Sequence, residues 1–268
     1  SSGSTAVSES GSTDTFTVVL TAEPDSNVVI SVTSGDTGEA TVSASSLTFT
    51  TGNWDSAQTI TVTGVDDDII DGSINTTITL AVVDGSSDDN FDSLSDQTVT
   101  AATADNDSAG FTVTQTGGST QVAESGSMDT FTAVLTAQPA SDVVISVTSG
   151  DTDEATVSAS SLTFTDSNWD TAQSIGVTGV DDDIIDGSQD TTITLAIVDG
   201  SSDDNFDSLA NQTVTATTTD NDSAGFTVTQ SSGSTAVTEG GGTDTFTVVL
   251  TAEPDSNVVI SVTSGDTG

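Results

Sequence analysis

Carboxylates are the side chains through which this sequence could do chemistry. The chain of 268 residues has 42 Asp and Glu residues and no Lys, Arg, His, Cys or Tyr. A serine nucleophile therefore has no His or Lys base, and thiolate or imidazole metal sites are excluded. A glycosidase-like pair of carboxylates needs aromatic side chains on which the sugar stacks, and the chain has only two Trp and no Tyr for this role. We expect no enzymatic activity, and we expect hard cations bound by oxygen atoms.

The acids of the middle of the chain fall into three groups. Asp181, Asp182 and Asp183 precede Asp186 in one loop, Glu124 lies well before them, and Asp220-Asn221-Asp222 follows much later. Calcium accepts six to eight oxygen ligands in flexible geometry, whereas magnesium prefers a strict octahedron that keeps several waters. The spacing matches neither an EF-hand loop nor a glycine-rich calcium nonapeptide. Calcium is therefore expected to join segments that are distant in sequence.

The formal charge of -42 restricts the partners. A polyanion without basic side chains cannot neutralise phosphates, so we expect no nucleic acid and no anionic membrane surface as partner. No apolar run approaches the roughly 20 residues of a membrane span. About a third of the residues are hydrophobic and they are periodic, which argues against disorder. Cations are the expected counter-charge.

The sequence repeats with a period of 115 residues, because Ser108–Gln115 returns unchanged at Ser223–Gln230. Three repeats are predicted, at residues 1–107, 108–222 and 223–268. The first lacks the opening of its first strand and the third holds only an N-terminal part. We therefore expect the sequence to be a window on a longer tandem array.

Apolar residues alternate with Thr and Ser, which is the periodicity of β-strands. Seven strands are predicted in the complete repeat, at Phe111–Gln121, Thr130–Thr136, Val143–Thr148, Ser161–Thr165, Gln173–Val180, Thr191–Val198 and Gln212–Thr219. Such strands with frequent turns predict an immunoglobulin-like antiparallel β-sandwich. Alternating strand directions place 12 carboxylates at one end and 7 at the other, with none inside a strand. The acid-rich end is also predicted to be the junction between repeats.

A whole repeat resembles Calx-beta domains, which are immunoglobulin-like calcium modules of sodium/calcium exchangers, integrin β4 and bacterial surface arrays. The resemblance is carried by Phe111–Val113, Val122–Glu124, Leu162–Phe164, Asp181–Asp186 and Asp220–Asp222. It implies all-β, Calx-beta/cadherin-like seven-stranded sandwiches joined end to end in a rod. The chain also resembles, more loosely, the acidic extender repeats of giant bacterial adhesins.

The resemblance implies calcium ligands at one tip of each repeat. They are Glu9, Asp66, Asp67, Asp68, Asp71, Asp105 and Asp107 in the first repeat, Glu124, Asp181, Asp182, Asp183, Asp186, Asp220 and Asp222 in the second, and Glu239 in the third. The Asp-Tyr that usually follows the third strand of the family is absent. Ala155-Thr156-Val157-Ser158 stands there, with Asp151, Asp153 and Glu154 slightly earlier.

The expected function is a calcium-stiffened shaft of a bacterial surface adhesin or extracellular filament, in which each repeat contacts its neighbours. A calcium-sensing regulatory module and a glycan- or ice-binding adhesive module are the alternatives, and strand exchange between chains, leading to filaments, is a further hypothesis. The opposite loop, with Asp84, Asp88, Asp89 and Asp92, has three interpretations. These interpretations are a second calcium loop, a contact with the tip of the preceding repeat, and a plain turn.

Overall fold

The computed structural model describes residues 4–266, and its regular structure is all-β apart from short 3-10 helices. In the first repeat the strands are β1 Ser4–Ser8, β2 Thr13–Val18, β3 Val28–Ser34, β4 Ala40–Val42, β5 Ser46–Phe49, β6 Gln58–Gly64, β7 Ile74–Val82 and β8 Gln97–Ala104. In the second they are β9 Phe111–Gln115, β10 Thr120–Ala123, β11 Met128–Leu135, β12 Val143–Ser149, β13 Ala155–Val157, β14 Ser161–Phe164, β15 Gln173–Gly179, β16 Gln189–Ile197 and β17 Gln212–Thr219. The third contributes β18 Phe226–Gln230 and β19 Phe246–Leu250.

The chain forms two compact units. Unit 1 runs to Gly110 and includes Thr136–Ala140, and unit 2 holds Phe111–Leu135 and the chain from Ser141 onward. Unit 1 packs a five-stranded sheet, β1-β8-β7-β3-β5, against a three-stranded sheet, β2-β6-β4. Unit 2 contains the corresponding sheets β10-β17-β16-β12-β14 and β13-β15-β11-β9, together with the β18-β19 pair. The immunoglobulin-like sandwich is thereby confirmed, and the division into three repeats stays a prediction.

The predicted first strand, Phe111–Gln121, is two strands that belong to different sheets. β9 pairs antiparallel with β11, whereas β10 pairs parallel with β17. The change of sheet occurs at the 3-10 helix Thr116–Gly118, where Gly117 and Gly118 have φ of 69° and 86°. Glycine adopts this left-handed conformation without the steric cost that a side chain would add. The short strand β13 is a second addition, so unit 2 has nine strands in its two large sheets where seven were predicted.

The predicted alternation of strand directions is otherwise confirmed. β12 runs antiparallel to β14 and β16, β16 to β17, and β11 to β15. The prediction that no acid lies within a strand is wrong for Asp129 in β11 and Asp190 in β16. Each is the second residue of its strand, next to a loop, and its carboxylate accepts a hydrogen bond from another strand. Asp129 accepts from the backbone N–H of Gln121, and Asp190 from the hydroxyl of Thr217.

The cores lie between the sheets and explain why the alternating residues form these strands. In unit 2 the side chains of Phe131, Ile145, Phe164, Ile175 and Ile193 are fully buried. Burying a side chain of this size stabilises the folded state by about 1.5–3 kcal/mol. The outward Thr and Ser residues remain in contact with solvent. The strands are thus fixed by their apolar face, and their ends hold the acidic loops in place.

Candidate metal centre

Acids from four separate segments lie at one end of each sandwich, and we call this end the acidic pole. In unit 1 it comprises Glu9 after β1, Glu39 before β4, Asp66–Asp71 after β6 and Asp105–Asp107 after β8. In unit 2 the equivalents are Glu124, Glu154, Asp181–Asp186 and Asp220–Asp222. Three strand ends and one strand start therefore meet at each pole.

Strand pairing brings Glu9 and Asp105 together. β1 runs parallel to β8 with Ser8 opposite Ala104, so the next residues leave the sheet side by side. The backbone N–H of Glu9 donates to the carbonyl of Ala104 at 3.1 Å. The same register in unit 2 places Glu124 beside Asp220.

A glycine brings the acidic loop to the same place. Gly64 ends β6 two residues before Asp66, and a Cβ there would lie 2.2 Å from the carbonyl oxygen of Ser8. Such a distance is far inside van der Waals contact, so only glycine lets β6 approach the end of β1 this closely. Gly179 has the same relation to Ala123, at 2.3 Å.

Three carboxylates converge at each pole within residues 4–266. Oxygens of Glu9, Asp105 and Asp107 lie within 4.8 Å of one another, and so do oxygens of Glu124, Asp220 and Asp222. These distances allow one cation to contact all three side chains. Bare carboxylates this close repel each other strongly.

Asn106 links the cluster to the acidic loop. Its backbone N–H donates to Oε2 of Glu9 at 3.0 Å, and its side-chain Nδ2 donates to Oδ1 of Asp66 at 2.9 Å. In unit 2, Asn221 makes the same bonds to Glu124 and Asp181 at the same distances. The Asp-Asn-Asp segment thus provides two carboxylates of the cluster, and its Asn holds the buried glutamate and the first aspartate of the acidic loop.

Glu9 and Glu124 are buried although they are glutamates. Each is 1 % exposed. Among the described residues, Oε1 of Glu9 has no hydrogen-bond partner. Oδ2 of Asp107 and of Asp222 is likewise buried and unpartnered within residues 4–266. A buried charge without a partner is costly, and the sequence offers no cationic side chain to pair with it.

The electrostatics of the poles follow from this burial. Desolvation raises the pKa of Glu9, the backbone hydrogen bond from Asn106 lowers it, and the negative charge of Asp105 raises it again. Burial is also the main cause of the raised pKa of Asp107. Both poles therefore disfavour their own charged state when no cation is bound.

The equivalent groups in unit 2 behave similarly, with one contrast. Burial raises the pKa of Glu124 and of Asp222. The pKa of Asp220 is instead lowered, because the backbone N–H groups of Asp222 and Gly187 donate to its carboxylate. Asp220 thus stays ionised beside two groups that resist ionisation.

The remaining predicted ligands divide by position. Asp67 and Asp71 lie close enough to Glu9 for their charges to raise its pKa, as Asp182 does for Glu124. Asp67 also accepts the backbone N–H of Ile69 at 2.8 Å, which shapes the loop. The side chains that are exposed are those of Asp66, Asp68, Asp71, Asp181, Asp183 and Asp186. Glu239 lies exposed in a turn and belongs to neither carboxylate group.

Two pairs of residues at the poles were missed as candidate site residues. Asn106 and Asn221 are signalled in the sequence by their position between two aspartates. Glu39 and Glu154 each stand directly before an Ala-Thr-Val strand, and Glu39 is only 8 % exposed.

The opposite loop has a structural role through Asp88. Its side chain is 4 % exposed and accepts backbone N–H groups of Ser26 at 3.0 Å and Asn90 at 2.9 Å. These bonds lower the pKa of Asp88. Asp203 is placed in the same way in unit 2 and accepts from the backbone of Ser141 and Asn205. Both acids brace a turn, and the three interpretations of this loop stay predictions.

The chain has been compared with known proteins. No protein-family model matches it, and no curated protein matches it. Solved structures that align with it include CBD12 from CALX1.2, 12 % identical over 81 % of this chain and 97 % of that one, with a TM-score of 0.30. Calcium binding domain CBD12 of CALX1.1 is 15 % identical over 74 % of this chain and 79 % of that one, with a TM-score of 0.31. Domains 4 and 5 of the S-layer protein SbsC are 14 % identical over 71 % and 70 %, with a TM-score of 0.31.

TM-scores this low carry no argument about function. Across residues 4–266, no helix has the length and hydropathy to cross a membrane.

Proposed function

We propose that each acidic pole binds calcium and that the bound ion stiffens a structural, non-enzymatic extracellular repeat array. One observation carries the proposal. Glu9 and Glu124 are almost fully buried beside two other carboxylates, in a chain with no Lys, Arg or His to neutralise them. Within the described residues, Oε1 of Glu9 in unit 1 and Oδ2 of Asp222 in unit 2 have no hydrogen-bond partner, so each pole has a buried carboxylate oxygen available to a cation.

The donor set fits calcium. The poles supply carboxylates, Asn side chains and loop carbonyls, and the sequence has no Cys or His ligand for softer metals. The donors come from separate loops at flexible geometry, which suits an ion that accepts six to eight oxygens more than one that requires an octahedron. Glu9, Asp105 and Asp107 would hold the ion in unit 1, with Asp67 and Asp71 near it.

Binding would connect segments that are otherwise joined weakly. An ion held by Glu9 and Asp107 ties the end of β1 to the exit of β8, and the acidic loop closes over both. The exit of β8 leads within four residues to Ser108, where the next repeat is predicted to begin. Fixing this exit would restrict the linker, so that calcium would convert a flexible string into a stiff shaft. Such a shaft suits a surface adhesin or filament.

An extracellular location is part of the proposal. Extracellular calcium modules typically have dissociation constants of about 0.1–1 mM, which the calcium outside cells can saturate. A regulatory sensor would need sites about a hundredfold tighter or more. The near-identical repeats suit a spacer, since a recognition module would need one repeat with a surface of its own.

The test measures stability and length together. Thermal unfolding and small-angle X-ray scattering in 5 mM calcium and in EGTA should show a higher midpoint and a longer, less flexible particle with calcium. The variant Asp107→Asn/Asp222→Asn should lose much of both effects. Asp55→Asn/Asp170→Asn is the matched control, because it removes the same charge from exposed residues outside the poles. If calcium changes neither the midpoint nor the length of the unmodified chain, the proposal is wrong.

A further inference from the structure

Unit 2 has a strand that the described residues of unit 1 do not provide. In unit 2, β9 pairs with β11 at the edge of the sheet β13-β15-β11-β9. The corresponding sheet of unit 1 is β2-β6-β4, so β2 has one neighbour where β11 has two. The backbone N–H of Leu20, just after β2, donates to the carbonyl of Trp54 in the turn before β6. Because N–H groups alternate in direction along an extended chain, the N–H of Val19 points to the open side of the sheet.

The open side of β2 borders an apolar groove of about 360 Å³. Among the residues that line it are Phe16, Ile30, Leu80, Leu94 and Val99. The corresponding core of unit 2 is more completely buried. Phe206 is fully buried, whereas its equivalent Phe91 is only half-buried, and Leu209 is half-buried, whereas its equivalent Leu94 is exposed. The groove therefore lies where a strand like β9 would complete the core of unit 1.

A glutamine marks the same place in both units. In unit 2 the side-chain amide of Gln212, which begins β17, donates to the carbonyl of Phe111 in β9. The equivalent Gln97 begins β8 and lines the groove, and its amide donates to the carbonyl of Ser95 at 3.1 Å. A strand in the groove would offer Gln97 the acceptor that Phe111 offers to Gln212.

The chain contains a second strand with the sequence of β9. β18 reads Phe-Thr-Val-Thr-Gln, as β9 does, and its partner β19 reads Phe-Thr-Val-Val-Leu, which is identical to residues 16–20 beside the groove. β18 and β19 form a two-stranded sheet. A two-stranded hairpin is only marginally stable, because it lacks a second layer that buries its apolar side chains. Separating β18 from β19 therefore costs little.

The apolar side chains of β18 are poorly buried in this hairpin. Phe226 is 54 % exposed, whereas Phe111 at the same position of β9 is 5 % exposed. Val228 is exposed, whereas its equivalent Val113 is half-buried. A groove like that of unit 1 would bury both side chains of β18, and it would replace β19 by a partner of identical sequence.

We propose that the groove of unit 1 binds β18 of a second copy of this chain, which adds to the sheet along β2. The register of β18 on β19 predicts that Thr227 lies opposite Val19, as Thr112 lies opposite Val134 in unit 2. Each copy offers this groove and this strand on different parts of its surface, so copies would join head to tail. The association goes beyond the proposed function, because it requires no cation.

Analytical ultracentrifugation in EGTA tests for the association. High salt is used, because copies with a formal charge of -42 repel each other unless their charges are screened. The mean mass should rise with protein concentration by about twofold or more. The variant Phe226→Ser/Val228→Ser should remain a monomer. Val237→Ser/Val259→Ser is the matched control, since these valines are also exposed in the third repeat but lie outside β18 and β19, and it should associate like the unmodified chain.

Disulfide cross-linking identifies the strands that meet, because the chain has no Cys of its own. Chains with Val19→Cys are mixed with chains that carry Thr227→Cys and are then oxidised. Residues directly opposite in an antiparallel pair lie within reach of a disulfide, so a covalent heterodimer should form. Thr41→Cys replaces Val19→Cys in the control, since Thr41 is exposed on β4 at the opposite edge of the same sheet, and it should give little heterodimer.

Three results would overturn the proposal. The first is an unmodified chain that stays monomeric at every concentration. The second is association that persists in Phe226→Ser/Val228→Ser, since another surface would then join the copies. The third is a cross-link to Thr41→Cys as abundant as the one to Val19→Cys. A chain that associates in EGTA and binds no calcium would contradict the proposed function and leave this inference intact.

Discussion

Replacing the buried glutamates Glu9 and Glu124 by glutamine should have opposite effects with and without calcium. In EGTA at pH 8 the substitution removes a buried negative charge that lies beside two other carboxylates. In Glu9 the Oε1 of that carboxylate also has no hydrogen-bond partner among the described residues. Relief of such a group is worth about 1 kcal/mol or more. The metal-free variant should therefore melt above the unmodified protein.

The sign reverses in calcium, because the substitution removes a ligand. For dissociation constants of about 0.1–1 mM, 5 mM calcium stabilises each site by about 1–2.3 kcal/mol. In a domain of about a hundred residues this corresponds to roughly 4–10 °C in the unfolding midpoint. The double variant Glu9→Gln/Glu124→Gln should lose most of this increase.

Differential scanning calorimetry in the two buffers measures both shifts. The control Asp55→Asn/Asp170→Asn removes the same number of charges far from the poles, so any shift it causes should be the same in both buffers. A Gln variant that is destabilised equally in EGTA and in calcium would refute the reasoning, since the glutamates would then act through packing alone.

Three further outcomes are expected. The metal-free protein should gain stability as the pH is lowered from 8 towards about 4.5, because a carboxyl with a pKa raised by burial contributes stability that is lost as the pH rises through its folded-state value. Calcium should abolish this gain. An unfolding midpoint of the metal-free protein that decreases steadily as the pH is lowered would contradict the prediction. Gly64→Ala should destabilise unit 1 by about 1–3 kcal/mol and weaken its calcium binding, because the added Cβ would clash with the carbonyl oxygen of Ser8. Gly52→Ala is the control and should change calcium binding little, because its added Cβ would lie 3.8 Å from the nearest atom, a side-chain oxygen. Asp88→Ala should lower the midpoint of unit 1 by several degrees and leave the calcium affinity unchanged, because the backbone N–H of Ser26 loses its acceptor away from the poles; an altered calcium titration would contradict this separation.

The strands and their directions could be predicted from the sequence because they depend on local pattern. Alternation of apolar and hydroxyl residues gives the buried face of β12 and β16, and turn residues mark their ends. The split of the first strand needed more than the pattern. Gly117 and Gly118 were a visible signal, yet only the pairing of β9 with β11 and of β10 with β17 decides that the chain changes sheets there.

Which acids lie at the poles could be predicted only in part. The Asp-Asn-Asp and acidic-loop segments stand out in sequence because they are dense in charge. A single glutamate before a short strand does not, so Glu39 has no feature in one dimension that separates it from the exposed Glu23. Its burial depends on bonds to Val65 and Thr103, which lie far away along the chain.

The poles also show why a sandwich without basic residues can keep a buried acid at all. Neutral donors orient Glu9 and Glu124, since the backbone N–H groups of Asn106 and Asn221 each donate to one carboxylate oxygen at 3.0 Å. The other oxygen of Glu9 has no hydrogen-bond partner within residues 4–266. An arginine in that place would satisfy both oxygens permanently and would remove the need for an ion. An amide fixes the geometry and leaves the charge uncompensated. Under the proposed function, the stability of each pole would then depend on an external cation, and this dependence is what would let calcium control the stiffness of the array.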